Sequence, residues 1–363
     1  MLSLRRAESI LFHLLIFFLP TQLTYHFWPN WAFVFGIRVD YLSPAIYLTD
    51  GLIVVLLLLW YLRVKLFPKF VLILIVFALV NSLFSIYPFV SLAKWVKVIE
   101  MSLFAFYVSN NKDLLKTKDF LKVAGLSLSL FSLIGILQFL KGSTLGGLLY
   151  FVGERSFNIS TPGIALENIF GREFIRPYST FPHPNSLAGY FGLFLILFPG
   201  ISKLSKILSG FAVLISGSLS SYIGIAASIL FRKFSRVLLV TVILLSLILP
   251  ILSISGGGEG VAERLVLAKE AGEIISNKFF FGSGLNTFVV QNPLLQPVHN
   301  IFLLVFSELG IFGLLGLSWL IFKGYKKFPA AFIFILLTGF FDHYWLTLQQ
   351  NMLLLALVFG LVF

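Results

Sequence analysis

Residues 119–140 read DFLKVAGLSLSLFSLIGILQFL, and no charged residue follows Lys122 within this run. A helix needs about 20 mostly apolar residues to cross the hydrocarbon core of a lipid bilayer. A stretch of this length and apolar character therefore predicts a transmembrane helix. The remainder of the chain can be compared with this run.

Similar apolar runs recur along the whole chain of 363 residues. Hydrophobic residues make up 58% of the sequence and charged residues 12%, and the mean hydropathy is +0.98. Soluble proteins carry about a quarter charged residues. We predict an all-α, polytopic integral membrane protein with about twelve transmembrane helices. The predicted spans lie at about 9–28, 44–62, 70–86, 92–108, 119–140, 186–201, 204–216, 218–231, 237–254, 299–322, 329–345 and 347–363.

The formal net charge of +12 is divided unevenly between the two sides that these spans define. With the N-terminus inside, sixteen of the 27 basic residues fall in inner loops and eight in outer loops, in agreement with the positive-inside rule. The balance is then +13 inside, −1 within the spans and zero outside. We therefore predict that both termini are cytoplasmic. Membrane topology therefore explains the excess of basic residues. This excess does not indicate a nucleic-acid partner.

The apolar stretch 207–231 is long enough for one helix, but Ser216-Gly217-Ser218 interrupts it. A single span would place the basic loops that flank it on opposite sides of the membrane. Two short spans that meet at the interruption keep both loops inside. We therefore predict a pair of helices here.

Two segments on the predicted outer side are too long to be simple turns, and they divide the chain into five parts. Loops longer than about 15 residues are usually functional or disordered. In the second outer segment, apolar residues recur at helical spacing and predict an amphipathic helix on the bilayer surface or over a cavity: Val261, Leu265, Ala268, Ala271 and Ile275. The five parts are N-terminal helices (1–140), an outer loop (141–185), further helices (186–254), an outer loop with the amphipathic helix (255–298) and C-terminal helices (299–363).

Several kinds of site are excluded by the residues that the chain lacks. The sequence contains no cysteine, so it has no disulfide, thiolate metal site or cysteine nucleophile. It also lacks a phosphate-binding Walker loop and the ligand spacing of a zinc site. We predict no metal and no cofactor.

Polar residues gather at three places on the predicted outer side. The first is the run from Arg176 to Ser186, which is either a rigid loop with Arg176 reaching lipid headgroups or part of a site. The second is His299-Asn300, where the imidazole is either a general base or bonded to a backbone carbonyl. The third surrounds Asp342-His343, which is either functional or solvated at the interface.

The first two of these places, together with one further arginine, resemble the signatures of the O-antigen ligase/polymerase superfamily, whereas Asp342-His343 is not part of those signatures. Arg176 precedes Phe181-Pro182-His183-Pro184-Asn185, which enters a span. Arg264 precedes the turn Gly282-Ser283-Gly284. His299-Asn300 opens a helix that continues to Glu308-Leu309-Gly310, and the spacing of Gly310, Gly313 and Gly316 predicts close helix packing. One departure is Gly217-Ser218-Leu219-Ser220-Ser221, where such proteins often carry a Ser-Arg pair.

The resemblance implies a metal-independent membrane glycosyltransferase with a GT-C-like fold. Such enzymes transfer a glycan from undecaprenyl pyrophosphate to an acceptor hydroxyl on the outer side of the bacterial cytoplasmic membrane. By this resemblance, Arg176 and Arg264 bind the donor pyrophosphate and His299 accepts the proton of the acceptor. The candidate substrate-binding residues are Tyr178, His183, Asn185, Asn300, Asp342 and His343, with Asn185 and Asn300 as helix caps or sugar contacts.

Three functions are compatible with these residues. A ligase would transfer a preassembled glycan to a glycan, lipid or protein acceptor, as in lipopolysaccharide assembly at the cell envelope. A polymerase would lengthen the glycan on its own carrier. A transporter would move the lipid-linked glycan across the bilayer, but it should show inverted repeats and helices broken at the midplane. We expect a transferase, and a ligase in preference to a polymerase.

Overall fold

The computed structural model describes residues 2–231 and 259–363, and these residues form mostly helices. The helices are α1 (Leu2–Phe18), α2 (Leu48–Val64), α3 (Phe70–Leu83), α4 (Pro88–Asn110), α5 (Lys118–Lys141), α6 (Pro184–Leu197), α7 (Lys203–Ile215), α8 (Leu219–Phe231), α9 (Glu259–Asn277), α10 (Ile301–Lys327), α11 (Pro329–Phe341), α12 (Tyr344–Thr347) and α13 (Gln349–Val362). Short 3-10 turns occupy parts of the connections. The predicted span 237–254 lies outside the described residues.

Two of the described helices, α5 and α10, are long and apolar enough to cross a membrane. Shorter apolar helices surround them, among them α3, α6, α8, α11 and α13. Large apolar side chains are exposed on several helices, including Ile73, Leu126 and Leu315. Soluble proteins rarely expose apolar surface this extensively, so the exposed side chains suit a membrane environment. The helical fold class is confirmed, and the count of twelve spans stays a prediction.

The predicted bounds of the first span, 9–28, are wrong, whereas those of the second span agree with α2 to within about four residues. The first helix ends at Phe18, and residues 24–26 form a strand that pairs antiparallel with residues 45–47 before α2 begins. Pro20 cannot continue a helix without losing a backbone hydrogen bond. A window of apolar residues does not distinguish this short strand from helix, because both bury apolar side chains.

The connection between α1 and α2 and the first outer segment also contain short strands that the sequence pattern did not predict. Thr24–His26 (β1) pairs with Ala45–Tyr47 (β4), and Phe33–Val34 (β2) pairs with Ile37–Arg38 (β3). Leu166–Ile169 (β5) pairs antiparallel with Arg172–Ile175 (β6). These ladders hold the ends of the connections together, and β6 leads directly to Arg176.

The pair of helices predicted for 207–231 is confirmed. α7 ends at Ile215 and α8 begins at Leu219, so the chain turns at the predicted interruption. Ser202 caps α7 by accepting a hydrogen bond from the backbone N–H of Ser205. The turn between α7 and α8 therefore places the backbone of Ser216 at one end of the helical bundle. Residues 142–183, which connect α5 to α6, lie at the same end.

The last helix, α13, is buried along almost its whole length. It packs against α4, where Gly360 lies beside Val108 without a side chain between them. Residues 349–358 are all buried, so this helix lies inside the bundle. Its first residues, Gln349, Gln350 and Asn351, are polar and buried near the outer segments.

The predicted amphipathic helix is confirmed as α9, but its buried face differs from the predicted one. Leu267, Ala271 and Ile274 are buried, whereas Leu265 is exposed. The buried side chains form a cluster with Phe288 and with residues at the start of α10. The neighbouring loop therefore determines which face of α9 is buried. The spacing of the apolar residues fits two adjacent faces of the helix, so it could not specify which one.

Backbone hydrogen bonds join the turn Gly282-Ser283-Gly284 to the helix that follows His299-Asn300. Ser283 and Gly284 donate their N–H groups to the carbonyls of Ser307 and Glu308. The Glu308 carboxylate accepts from the N–H groups of Asn286 and Phe288 at 2.8 and 3.1 Å. Glu308 thus holds the loop after α9 and has a structural role.

Gly310 interrupts α10. The prediction that it serves close packing of this helix with another is wrong. It has φ 66°, in the left-handed region, and a Cβ there would lie 2.2 Å from the carbonyl oxygen of Phe280. A Cβ on Gly282, also at positive φ, would lie 2.2 Å from the carbonyl carbon of Glu308. Only glycine permits both conformations and this close approach of two backbones. Gly316, by contrast, would have nothing within 4 Å of an added Cβ.

We predict that Gly310→Ala destabilises the protein by about 2 kcal/mol or more, because the added methyl group must displace backbone atoms. Thermal unfolding in detergent, followed by tryptophan fluorescence, should show a Tm several degrees below that of the parent protein. Gly316→Ala on the same helix is the matched control, and its Tm should be unchanged or raised, since alanine favours helix over glycine. Equal Tm values for the two variants would contradict the assigned role of Gly310.

Candidate functional site

An amide side chain joins the first polar segment to the third. Asn185 accepts a hydrogen bond from Nη2 of Arg176 at 2.7 Å and donates from Nδ2 to Oδ2 of Asp342 at 3.1 Å. Asn185 is the second residue of α6, and Pro184 sets the direction of the first turn. The helix is capped by His183, whose Nδ1 accepts from the backbone N–H of Asn185. Of the two roles predicted for Asn185, the helix cap is therefore wrong, because His183 caps α6.

Arg176 is half-buried and points toward the protein, so the prediction that it could reach lipid headgroups is wrong. Its Nε donates to the backbone carbonyl of Ser216, at the turn between α7 and α8. The Glu167 carboxylate lies on the same side of this turn, against Gly217. Burial lowers the pKa of Arg176, and Glu167 opposes that effect. A guanidinium remains charged at neutral pH even so.

The guanidinium of Arg176 retains free donors. It carries five N–H groups, and its recorded hydrogen bonds to Ser216 and Asn185 use two of them. Among the described residues, the other three have no hydrogen-bond partner. An anion with several oxygens, such as a phosphate, is the ligand that suits such a fork.

Asp342 lies where the helical backbone stops between α11 and α12. Its Oδ1 lies 3.7 Å from Nδ1 of His299 and accepts the backbone N–H of His343 at 2.8 Å. His299 Nδ1 is buried and has no hydrogen-bond partner among the described residues. The His343 ring packs against the His299 ring, with centroids 5.1 Å apart, and its Nδ1 contacts the Thr347 hydroxyl at 2.7 Å. The carboxylate is 5% exposed, so it is not merely solvated at a surface.

His183 is buried close to the other residues of the sequence signatures. The pKa of His183 is lowered to about 4, first by burial and then by Arg176, His299 and Arg264, whereas Asp342 opposes these effects. His183 is therefore neutral at physiological pH, which agrees with Nδ1 accepting a hydrogen bond in the cap.

Arg264 differs from Arg176 because it is exposed. It lies on α9, one turn before the buried Leu267 on the same face, at the edge of the protein body. An exposed arginine on a helix edge can adjust to a ligand, whereas Arg176 is already oriented. The two guanidiniums approach the site from different outer segments.

Two of the predicted substrate-binding residues have structural roles. Tyr178 is buried against Phe157, and its hydroxyl accepts a hydrogen bond from the backbone N–H of Ala165 at 2.8 Å. Asn300 caps α10 by accepting from the N–H groups of Phe302 and Leu303. Both residues fix the segments from which Arg176 and His299 project.

His299, Asp342 and His343 are also a set that could hold a divalent metal. Their ligand atoms lie within 4.8 Å of one another, and two imidazoles with one carboxylate are a known ligand combination. Asp342 already accepts hydrogen bonds from Asn185 and from the backbone of His343. The same atoms therefore also suit a hydrogen-bonded unit in which Asp342 orients His299.

Three residues at this site were not predicted from the sequence. Glu167 approaches Gly217 beside Arg176, Tyr41 packs edge-on against His343, and Thr347 bonds to His343. Burial raises the pKa of Tyr41, and Asp342 raises it further. These residues belong to unrelated stretches of sequence, and none has a local pattern that would identify it.

No protein-family model matches this chain, and no curated protein matches it.

We predict that protonation of His183 destabilises the folded protein. Its pKa is about 4 when folded and about 6.5 when unfolded, so the stabilisation is complete above pH 6.5 and is lost as the pH falls toward 4. The total loss is up to ~3 kcal/mol, of which ~2 kcal/mol is expressed by pH 5. The measurement is the Tm in detergent at pH 7.5 and pH 5.

The control is His183→Asn, because asparagine caps helices well and does not titrate in this range. Its Tm should fall less than that of the parent protein between pH 7.5 and pH 5. An equal fall in both proteins would mean that another group causes the pH dependence.

Proposed function

We propose that this protein is a membrane glycosyltransferase of the O-antigen ligase type. It transfers a glycan from undecaprenyl pyrophosphate to an acceptor hydroxyl. The observation that carries the proposal is the chain of contacts from Arg176 through Asn185 and Asp342 to His299. These contacts link Arg176, the proposed phosphate-binding residue, to His299, the proposed base, through the Asn185 amide and the buried Asp342 carboxylate.

The proposed location is the bacterial cytoplasmic membrane, with both termini cytoplasmic and the site on the outer face. Basic groups near the opposite end of the bundle support this orientation. Arg63 at the end of α2 pairs with Glu8 near the start of α1, at 2.8 Å. Lys327 at the end of α10 donates to the carbonyl of Val362 at the end of α13. The site lies at the starts of α10 and α13, which are the other ends of those two helices.

The arginines bind the leaving group in this proposal. When the C1–O bond of the donor sugar breaks, the electron pair passes to the pyrophosphate oxygen, and its negative charge grows. Arg176 meets this charge with its free N–H groups, and Arg264 approaches from α9. Preorganised donors of this kind are each worth about 10²–10³ in rate. The Ser216 carbonyl and the Asn185 side chain keep the Arg176 guanidinium in place.

His299 accepts the proton of the acceptor hydroxyl as the acceptor oxygen forms its bond to C1. Asp342 lies next to Nδ1, so it favours the tautomer that leaves Nε2 free to act as the base, and it stabilises the imidazolium that forms. The Nδ1–Oδ1 separation of 3.7 Å is slightly longer than a hydrogen bond and is expected to shorten when substrate binds. Asp342 is thus a positioning residue for His299.

The ligase and polymerase reactions use the same bond changes and differ in the acceptor. A single addition to a new acceptor defines a ligase, whereas growth by whole repeat units on the carrier defines a polymerase. Reconstitution with a purified lipid-pyrophosphate glycan and candidate acceptors, followed by the mass of the product, separates the two. Movement of the donor across the bilayer without any product would instead indicate a transporter.

We predict that Arg176→Ala, Arg264→Ala and His299→Ala each lower the rate of glycan transfer by about 10²-fold or more. The rate should be measured in proteoliposomes with protein amounts matched by immunoblot. Arg172→Ala is the control, because Arg172 is exposed on β6, four residues before Arg176. Transfer at the parental rate by all three variants would refute the assignment of the site.

We predict that Asp342→Asn lowers kcat by about 10²–10⁴-fold, because an amide does not stabilise the imidazolium of His299. The KM for the donor should change little, since the amide oxygen of asparagine can still accept the Asn185 hydrogen bond that helps to hold Arg176. Asp342→Glu should recover part of the rate by restoring the carboxylate. An unchanged kcat in Asp342→Asn would remove Asp342 from the mechanism.

The same assay in EDTA separates the positioning role of Asp342 from metal binding. We expect the transfer rate to be unaffected by the chelator. A loss of rate that added zinc or manganese restores would mean that His299, Asp342 and His343 bind a metal.

A further inference from the structure

The cluster of His299, Asp342 and His343 brings two imidazoles and one carboxylate to one place. Oδ1 of Asp342 lies 3.7 Å from Nδ1 of His299 and 3.9 Å from Nε2 of His343. One ligand atom from each residue lies within 4.8 Å of the other two. Zinc binds such atoms at about 2.0–2.2 Å, which puts tetrahedral ligands about 3.3–3.6 Å apart. Modest rotations of these side chains would therefore close the cluster around one ion.

A hydrogen bond outside the cluster fixes the ring proton of His343. Its Nδ1 contacts the Thr347 hydroxyl at 2.7 Å, and that hydroxyl donates to the His343 carbonyl at 3.1 Å. Because the hydroxyl proton is used for the carbonyl, Thr347 accepts from Nδ1–H, and Nε2 carries a lone pair. This lone pair and Oδ1 of Asp342 are both electron-rich, so a cation between them is favourable. Metal-binding histidines are commonly oriented by such a bond from the other ring nitrogen.

The remaining two ligand atoms can bind a metal without losing an existing hydrogen bond. Nδ1 of His299 is buried and has no hydrogen-bond partner among the described residues. Oδ1 of Asp342 accepts the backbone N–H of His343 at 2.8 Å, and it keeps a further lone pair. The hydrogen bond from Asn185 goes to the other oxygen, Oδ2.

The cluster is open on one side, where His299 lies. The His299 side chain is 25% exposed, whereas those of Asp342 and His343 are 8% and 7% exposed. Three protein ligands with a fourth position left for water are typical of an exchangeable zinc site, and structural zinc sites take four protein ligands. Two imidazoles with one carboxylate also favour zinc over magnesium, which prefers oxygen ligands.

Zinc binding and the proposed role of His299 as a base exclude each other. As the base, His299 keeps its proton on Nδ1, beside Asp342, and leaves the Nε2 lone pair free. A zinc ion on Nδ1 takes the lone pair of that nitrogen, so the single ring proton moves to Nε2. The imidazole stays neutral, but Nε2 can no longer accept the proton of the acceptor hydroxyl.

We propose that His299, Asp342 and His343 bind one Zn²⁺ ion reversibly, and that the bound ion inhibits glycan transfer. The inhibitory part of this inference rests on the proposed function, because it requires His299 to be the base. The inference agrees with the expected insensitivity to EDTA, since the base acts without a metal. Zinc is therefore an inhibitor of this site and has no part in the chemistry of transfer.

The first test measures zinc binding and does not depend on activity. The full-length protein, without a histidine tag, is freed of metal with EDTA and dialysed against a series of Zn²⁺ concentrations in detergent. Elemental analysis should give one saturable zinc ion per chain, and zinc should raise the Tm. Absence of saturable zinc binding by the parent protein would overturn the proposal.

Matched variants locate the ion. His343→Phe removes one ligand and should weaken zinc binding by about 10²-fold or more, and Thr347→Val, which removes only the orienting hydroxyl, should weaken it by about 10–100-fold. The control is His26→Phe, because His26 bonds to Ser43 on the β1–β4 ladder and lies outside the cluster. Its affinity for zinc should equal that of the parent. Equal affinities of His343→Phe and His26→Phe would overturn the proposal.

The transfer assay then tests inhibition. Saturating zinc should lower the rate of the parent and of His26→Phe by about 10²-fold, as expected for the loss of a general base, and excess EDTA should restore it. Thr347→Val, compared with its own rate without zinc, should need about 10–100-fold more zinc for the same loss. An unchanged rate when the site is saturated with zinc would refute the inhibitory role. If the parent transfers no glycan without zinc, the proposed function fails, whereas zinc binding that His343→Phe loses would still establish the metal site.

Discussion

The site depends on the burial of one carboxylate, Asp342. A charge removed from water must be paired or hydrogen-bonded, because its desolvation otherwise costs several kcal/mol. Here the partners come from separate parts of the chain: the Asn185 amide from α6, the backbone of His343, and the ring of His299 at the start of α10. Satisfying this single group therefore fixes three elements relative to one another.

A second buried carboxylate organises the neighbouring loop in the same way. Glu308 accepts two backbone N–H groups from residues 286–288, and the chain around Gly282 and Gly310 can then approach closely enough for backbone hydrogen bonds. This loop and Val298 support the buried face of α9, the helix that carries Arg264. A residue with a purely structural role thus determines where a proposed ligand of the donor lies.

The sequence pattern predicted much of the helical framework. It also named most residues of the candidate site, and the structure gives some of them, such as Tyr178, a different role. Long apolar runs identified α5 and α10, and the break at residue 217 was recognised because charge sidedness required it. The strands β1 and β4 were missed, since short apolar strands and helix ends have the same composition. Tyr178 was a candidate substrate-binding residue in the sequence analysis, whereas in the structure its ring packs on Phe157 and its hydroxyl bonds to the backbone of Ala165.

The apolar character of the helices and the distribution of basic loops follow from the sequence alone, because hydropathy and charge are properties of each residue. The roles proposed for Arg176, Arg264 and His299 came from the family resemblance of their local sequences, and they stay predictions. Only the tertiary structure decided that Asn185 meets Asp342, 157 residues away, and that His299 lies beside Asp342 and His343. Such contacts depend on how the helices pack, and packing is set by the whole chain and by no local pattern.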